Sequence, residues 1–350
     1  MILPPFDRVV LDERAAREHF TQQFLDRLPS AVAVNVLGPG APSPRGRRTV
    51  YLTVDPGAFV KPCPCSPGVV RCGYWVLTLA LQCPFGCSYC FLRFYAPEEP
   101  LTLYANLTDA KSAFCESLAG WDGPVRLGTG EFTDSLALDP WTGHADWLCD
   151  LVAPHPRVLL ELKTKSARVD ALLDRRPLPN IVVAWSLNPE GRISSDEPGT
   201  ASLEERFEAA RRLARAGYRV AFHFDPIIAE GDWQRDYGDV IRRLFQSVDP
   251  AQVAWVSLGT LRFPPRFLER WGAKLRGNRA FFQEFVAGAD GKLRYFWPVR
   301  REVYRNLAAA LRREGAEDLK IYLCMEPREM WRTSLAWDPL EGEVARVLGS

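Results

Sequence analysis

Seven short apolar runs, each separated from the next by a longer amphipathic stretch, constrain this chain more than any other feature. They are YWVLTLAL (74–81), VRLGTG (125–130), RVLLELKTK (157–165), NIVVAWSLNP (180–189), YRVAFHFDPII (218–228), QVAWVSLGTL (252–261) and LKIYLCMEP (319–327). Near-continuous apolar strands alternating with helices predict a parallel sheet whose strands are covered on both faces. Six or seven such units predict an α/β chain built as a full or partial (β/α) barrel, with a doubly wound open sheet as the rival. The clearest helix is SLEERFEAARRLARAG, with Ser202 as N-cap, Glu205 three positions on and Gly217 as stop. Residues 1–60 contain LGPGAPSPRGRR and read as an irregular N-terminal extension to a domain spanning 61–350.

Polar residues collect where the runs end, which in barrels and open α/β sheets is where ligands bind. The ends carry Gly128-Thr129-Gly130-Glu131, Lys163-Thr164-Lys165-Ser166, Ser186-Leu187-Asn188-Pro189, His223 with Asp225, and Gly259-Thr260-Leu261-Arg262. Each has an ordinary alternative: Ser and Asn cap helices, lysines are solvated, and His223 among aromatics is a satisfied core histidine. Their coincidence on one rim points to a site.

The chain has 350 residues, is 47% hydrophobic and carries a net charge of +1, so any nucleic-acid contact must come from local basic patches. No run is long enough to span a membrane, and MILPPFDRVV lacks the pattern of an export leader. A soluble, cytoplasmic monomer is expected, with its nine cysteines reduced. Three of them form Cys83-Pro-Phe-Gly-Cys87-Ser-Tyr-Cys90, directly after the first run. A Cys87–Cys90 redox pair ignores Cys83. A structural zinc needs a fourth ligand, which Cys63, Cys65 or Cys72 would supply. A [4Fe–4S] cluster on three thiolates leaves one iron open to a small molecule.

The spacing Cys83-x-x-x-Cys87-x-x-Cys90 resembles the signature of radical S-adenosylmethionine enzymes, in which the open iron chelates S-adenosylmethionine. The resemblance implies that Gly128, Thr129, Gly130 and Glu131 meet the methionine amino group. It implies that Lys165 pairs the carboxylate, that Ser186 and Asn188 bond ribose or carboxylate, and that His223 joins this cofactor set. A narrower likeness runs from about residue 59 to 331, through Lys61-Pro-Cys-Pro, Cys72-Gly-Tyr, Ser186-Leu-Asn-Pro, His223-Phe-Asp-Pro-Ile, Leu258-Gly-Thr-Leu-Arg-Phe and Tyr322-Leu-Cys-Met-Glu. These segments resemble the spore photoproduct lyase family. That resemblance implies a partial (β/α)6-type TIM barrel with a C-terminal β-hairpin, and repair of UV-fused thymine dimers by a 5′-deoxyadenosyl radical. It also implies a flavodoxin or ferredoxin as electron donor.

Two positions depart from the family pattern. Phe132 stands where the family carries a hydrogen-donor cysteine after the second strand. Phe91 stands where it has a tyrosine after the last cluster cysteine; Tyr89 matches the preceding tyrosine. Cys324 is a substitute thiol, with a buried core cysteine as its ordinary reading. A hairpin near 285–305 places Arg294, Tyr295, Arg300 and Arg301 as DNA-binding residues. Another lesion or base as substrate, or a zinc- or cluster-stabilised nucleic-acid-binding protein, are the alternatives.

Overall fold

The computed structural model describes residues 4–349 apart from 39, 58, 97, 273, 274, 276 and 277. The N-terminal part holds β1 (Arg8–Asp12), β2 (Ala33–Leu37) and β3 (Thr49–Thr53). Next come β4 (Val60–Pro62), β5 (Tyr74–Leu77), β6 (Ala80–Leu81) and β7 (Leu101–Tyr104). Then follow β8 (Val125–Gly128), β9 (Val158–Thr164), β10 (Ile181–Ser186), β11 (Arg219–Ile227) and β12 (Val253–Thr260). The C-terminal part adds β13 (Arg262–Phe263), β14 (Phe285–Ala287), β15 (Leu293–Tyr295) and β16 (Ile321–Leu323).

All seven apolar runs contain strands of one sheet, ordered β16-β12-β11-β10-β9-β8-β5-β4. Its strands pair in parallel except β4, which runs antiparallel to β5 at the edge. Arg126 on β8 and Tyr322 on β16 lie five strands apart, about 24 Å in a flat sheet. Yet Arg126 Nη2 is 3.3 Å from the Tyr322 hydroxyl. The sheet is therefore curled into a partial barrel, and the doubly wound alternative is set aside. Outward residues such as Leu160, Leu162, Val183 and Phe222 belong to the main apolar core, shared with the surrounding helices.

Residues 1–60 are not the irregular extension expected. β1, β2 and β3 form a second sheet, ordered β2-β1-β3-β7-β6, with helix His19–Asp26 nearby in the chain. Val9, Leu11, Val50 and Leu52 of these strands share a separate apolar core with Phe20 and Phe24 of the helix. The glycine- and proline-rich stretch is only the connection between β2 and β3. The boundary expected near residue 60 also runs through an assembled sheet, because β3 pairs with β7. The run 74–81 divides: β5 enters the barrel and β6 the second sheet.

Helix Leu203–Ala216 matches its sequence signals. Ser202 Oγ accepts from the Glu205 N–H at 3.3 Å, and Glu205 Oε2 accepts from the Ser202 N–H at 2.7 Å. Gly217 closes it at φ +100°, a backbone conformation open to glycine. Leu203, Phe207, Ala210 and Leu213 bury its apolar face, and Arg206 sends its charge into the site described below. Ser202→Ala is expected to cost about 1 kcal/mol. The urea midpoint should fall while the slope of the transition stays unchanged.

Candidate active site

The cysteine loop leaves β6 through Gln82, whose φ is +68°. It is fastened from several directions. Arg47 Nη2 donates to Phe85 O at 2.7 Å and Cys83 O at 3.3 Å, and Arg93 Nη1 donates to Gly86 O at 2.5 Å. Gly86 N donates to Pro198 O at 3.1 Å, and Ser88 N to Asp196 O at 2.8 Å. Ser88 Oγ also donates to Asp196 Oδ1 at 2.5 Å. A Cβ at Gly86 would lie 3.1 Å from Pro198 Cγ, so this glycine serves close approach.

Cys83, Cys87 and Cys90 are electrostatic neighbours, and burial pushes all three thiols up, Cys87 to about 12. Among the described residues, no three His, Cys, Asp or Glu side chains are drawn together to chelate a single metal ion. A four-iron cluster distributes its ligand sulfurs over three irons, and three thiols on one fastened loop fit that group. Its positive charge offsets the cost of holding buried thiolates.

Glu197, which sequence reasoning missed, is the hub beside this loop. Its Oε1 accepts from Lys165 Nζ at 3.2 Å, from Asn188 Nδ2 at 2.9 Å and from the Tyr89 hydroxyl. Its Oε2 accepts from Arg206 Nη2 at 2.6 Å. Burial opposes its charge, but Lys165 and Arg206 prevail and hold the carboxyl down at about 2. Asn188 Oδ1 accepts from the Tyr237 hydroxyl at 2.7 Å, and Arg206 Nη1 donates to Ser186 O at 2.8 Å. Four of the expected residues, Tyr89, Lys165, Ser186 and Asn188, are thus brought together.

At the end of β8, a Cβ on Gly128 would lie 1.8 Å from the Tyr74 hydroxyl oxygen. One on Gly130 would lie 2.7 Å from Lys163 Cβ. Side chains of the adjoining strands fill the space these glycines leave. Thr129 Oγ1 is 2.9 Å from Ser135 Oγ. Asp134, also missed, ties β9 to this turn by accepting from Thr164 Oγ1 at 2.6 Å and Lys165 N at 2.7 Å.

His223 departs from its expected place on the rim. In register it sits beside Ser186 and Ser257, two residues below Asp225 on β11. Its Nε2 meets Glu161 Oε1 inside the barrel, and Glu161 Oε2 lies 3.1 Å from Arg126 Nη2. Burial lowers the His223 pKa, so we take the ring as neutral, donating to a carboxylate held by Arg126. Glu131 instead lies at the mouth with Lys163, Asp225, Arg262 and Lys292 as charged neighbours. Burial raises its pKa. Asp225 and Arg262 pair bidentately there, at 3.1 and 3.2 Å.

The expected hairpin exists as β14 and β15, with β13 completing a three-stranded antiparallel sheet. Three of its four expected DNA contacts turn inward. Arg294 pairs with Asp290, the Tyr295 hydroxyl accepts from Ala229 N at 3.2 Å, and Arg300 pairs with Glu326 at 3.1 Å. Arg301 is exposed, as are Phe296 and Arg305. The buried arginines neutralise carboxylates inside the fold; sequence composition does not separate that role from phosphate contact.

A curled parallel half-barrel with a three-cysteine loop after its first strand defines the class: a radical S-adenosylmethionine enzyme. A family model described as spore photoproduct lyase matches residues 71–263. The chain belongs to the spore photoproduct lyase family. It is 27% identical over 255 residues to the spore photoproduct lyase of a Geobacillus species, covering 71% of this chain and 72% of that protein. It is 28% identical over 186 residues to that of Bacillus subtilis, covering 51% of each. A solved spore photoproduct lyase variant with a dinucleoside spore photoproduct superposes at a TM-score of 0.80, with 19% identity, over 91% of this chain and 99% of that one. A second variant, with bound AdoMet and dinucleoside spore photoproduct, gives 0.77 at 19% identity, over 91% and 98%.

Glu197 carries a pH signature. Its folded pKa lies below its ordinary value of 4.5, so its contribution is present above that value and lost as pH falls towards about 2. Glu197→Gln should flatten that part of the stability–pH curve in urea titrations. At neutral pH it should cost about 3 kcal/mol, because Arg206 and Lys165 lose their counter-charge.

Proposed function

We propose that this enzyme binds S-adenosylmethionine at a [4Fe–4S] cluster on Cys83, Cys87 and Cys90 and repairs UV-fused thymine dimers in DNA. The observation that carries this reading is the family match over residues 71–263, which includes both the cysteine loop and the polar ends of β8 to β12. Solved relatives that hold AdoMet and a dinucleoside spore photoproduct share the fold. When bound, the cluster supplies the electron that cleaves the sulfonium and leaves a 5′-deoxyadenosyl radical.

The chain's own residues position and shield. Lys165, set between Glu197 and the face of Tyr89, offers its ammonium to the methionine carboxylate. Asn188 supplies a polar contact beside it, Ser186 lies level with His223 and accepts from Arg206 through its carbonyl, and Glu131 with Thr129 follows β8 for the methionine amino group. Arg47, Arg93 and the 196–198 segment hold the loop's shape before any ligand arrives, so little ordering remains for binding to impose. Exposed Phe296, Arg301 and Arg305 are the DNA-facing residues, suited to stacking and phosphate contact. The reductant is of the flavodoxin or ferredoxin class, and the enzyme acts as a cytoplasmic monomer.

Phe132 and Phe91 favour one second reading, the same radical applied to another lesion or base, because a phenyl ring has no weak bond from which to return hydrogen. A single assay separates the two. Anaerobically reconstituted enzyme is given S-adenosylmethionine, reductant and a dinucleoside spore photoproduct, followed by chromatography. Repaired thymidine with 5′-deoxyadenosine is the expected result; 5′-deoxyadenosine without repair would mean a different substrate. Replacing Cys83, Cys87 or Cys90 with Ala should lower bound iron and bring 5′-deoxyadenosine to background. Unchanged iron content would remove the cysteine loop as the cluster's holder.

A further inference from the structure

Three cysteines outside the cluster loop, Cys63, Cys65 and Cys324, gather at the barrel mouth, with Cys72 deeper beside Arg126 and Glu161. Cys63, Cys65 and Cys72 come from the segment between β4 and β5, and Cys324 follows β16. The three at the mouth share a set of charged neighbours: Glu131 and Arg262 beside Cys65, Glu131 beside Cys63, and Asp225, Arg262 and Lys163 beside Cys324. Cys324 is the most firmly placed. Its N–H donates to Leu258 O at 2.8 Å, and its sulfur lies 3.5 Å from Arg262 Nη2. Arg262 is itself clamped on Asp225 by two bonds, and a Cβ at Gly259 would lie 2.7 Å from Asp225 Cγ. This glycine therefore makes room for the pair that holds the sulfur. Cys324 remains partly exposed at the open end of the barrel.

Hydrogen balance requires a donor at this mouth. A thymine dimer and the two thymines it releases have the same atoms, so a hydrogen atom taken at the start must be returned. Thiol S–H bonds are weaker than the O–H and N–H bonds of the Lys, Arg and Ser side chains around them, so a thiol gives up its hydrogen first. Resting on the radical chemistry proposed above, we infer that Cys324 is the hydrogen-atom donor that quenches the substrate radical. Burial keeps the Cys324 thiol protonated, as it does Cys72, whereas the Cys63 hydrogen bond lowers the Cys65 pKa; what singles out Cys324 is the fixed place of its sulfur against the clamped Arg262.

The step balances. The substrate carbon radical gains a C–H bond, the Cys324 S–H bond breaks, and a sulfur radical remains. One electron from the ferredoxin- or flavodoxin-class reductant and one proton from solvent restore the thiol.

Deuterated water provides the test, because the exchanged thiol carries deuterium. Wild-type enzyme should place solvent deuterium in the repaired thymine of the dinucleoside product. Cys324→Ser should still form 5′-deoxyadenosine while repaired product falls at least about tenfold. Cys115→Ser, on an exposed helix position, should repair and label like wild type. Retained 5′-deoxyadenosine in Cys324→Ser also shows that this variant is folded and loaded. Undiminished repair with solvent label in Cys324→Ser would overturn the donor assignment alone. Absence of 5′-deoxyadenosine from the wild type would overturn the radical reading and the donor with it.

Discussion

One buried carboxylate ties the cysteine loop to the ends of β9 and β10. Glu197 receives hydrogen bonds from Tyr89 of the cysteine loop, Lys165 after β9, Asn188 after β10 and Arg206 of helix Leu203–Ala216. Taking a carboxylate out of water costs several kcal/mol, and that cost is recovered only when close cations and full hydrogen bonding surround it. Two cations and two neutral donors meet that condition here. The arrangement also fixes distances between elements far apart in sequence. Residues 196–198, continuous with the hub, grip the backbone of Gly86 and Ser88. The loop that carries the three cysteines is thereby positioned by the same segment that positions Lys165, Asn188 and Arg206.

The barrel interior follows a different rule from its exterior. Along β9, Val158, Leu160 and Leu162 face the helices, while Glu161 and Lys163 alternate with them and face inward. The alternation is a strand's ordinary period of two, hidden in the sequence because Leu159 interrupts the polar series. Arg126 stacks over Trp255 at 4.3 Å and lies near the faces of Tyr74 and Tyr322. With Glu161 and His223 this forms a polar, aromatic stem below the mouth. Glu161 is satisfied within the stem by His223 and Arg126, while Arg126 Nε and Nη1 find aromatic faces in place of acceptors.

The strands were legible from the sequence because their apolar runs are long and bounded. The helix at Ser202 was legible because its cap, its stripe and its Gly217 stop agree. The cysteine loop was legible from spacing alone. The N-terminal sheet was not, since its strands are short and its proline-rich connection dominates the composition. Glu197 was invisible for a related reason: Ser-Asp-Glu-Pro reads as a helix end, and only tertiary contact with Arg206 and Lys165 reveals a buried charge. Arg294 and Arg300 misled in the opposite sense. An arginine beside aromatics looks like a nucleic-acid contact, but Asp290 and Glu326 lie close enough to claim them. His223 was read at the correct strand and the wrong depth, because two residues along a strand change the layer without changing the face.

The distribution of thiols has a geometric consequence for the substrate. Phe132 follows β8, next to Glu131, whose charged neighbours Asp225, Arg262 and Lys163 are also those of Cys324. Cys324 follows β16, five strands from β8 in the sheet order, but the curl that puts Arg126 3.3 Å from the Tyr322 hydroxyl brings these two strands back together. A radical quenched by Cys324 would therefore sit where the ends of β8, β12 and β16 converge. That is also where Asp225, Arg262 and Lys292 supply charge, and where β15 approaches through Lys292 Nζ donating to Ser66 Oγ at 3.2 Å. The segment bearing Cys63 and Cys65 is tied to the end of β16 by Val70 N donating to Glu326 O at 3.0 Å, so these thiols border one charged cluster. On the donor role inferred for Cys324, the thiol crosses the closure of the curl, from the end of β8 to the end of β16, without leaving this charged cluster.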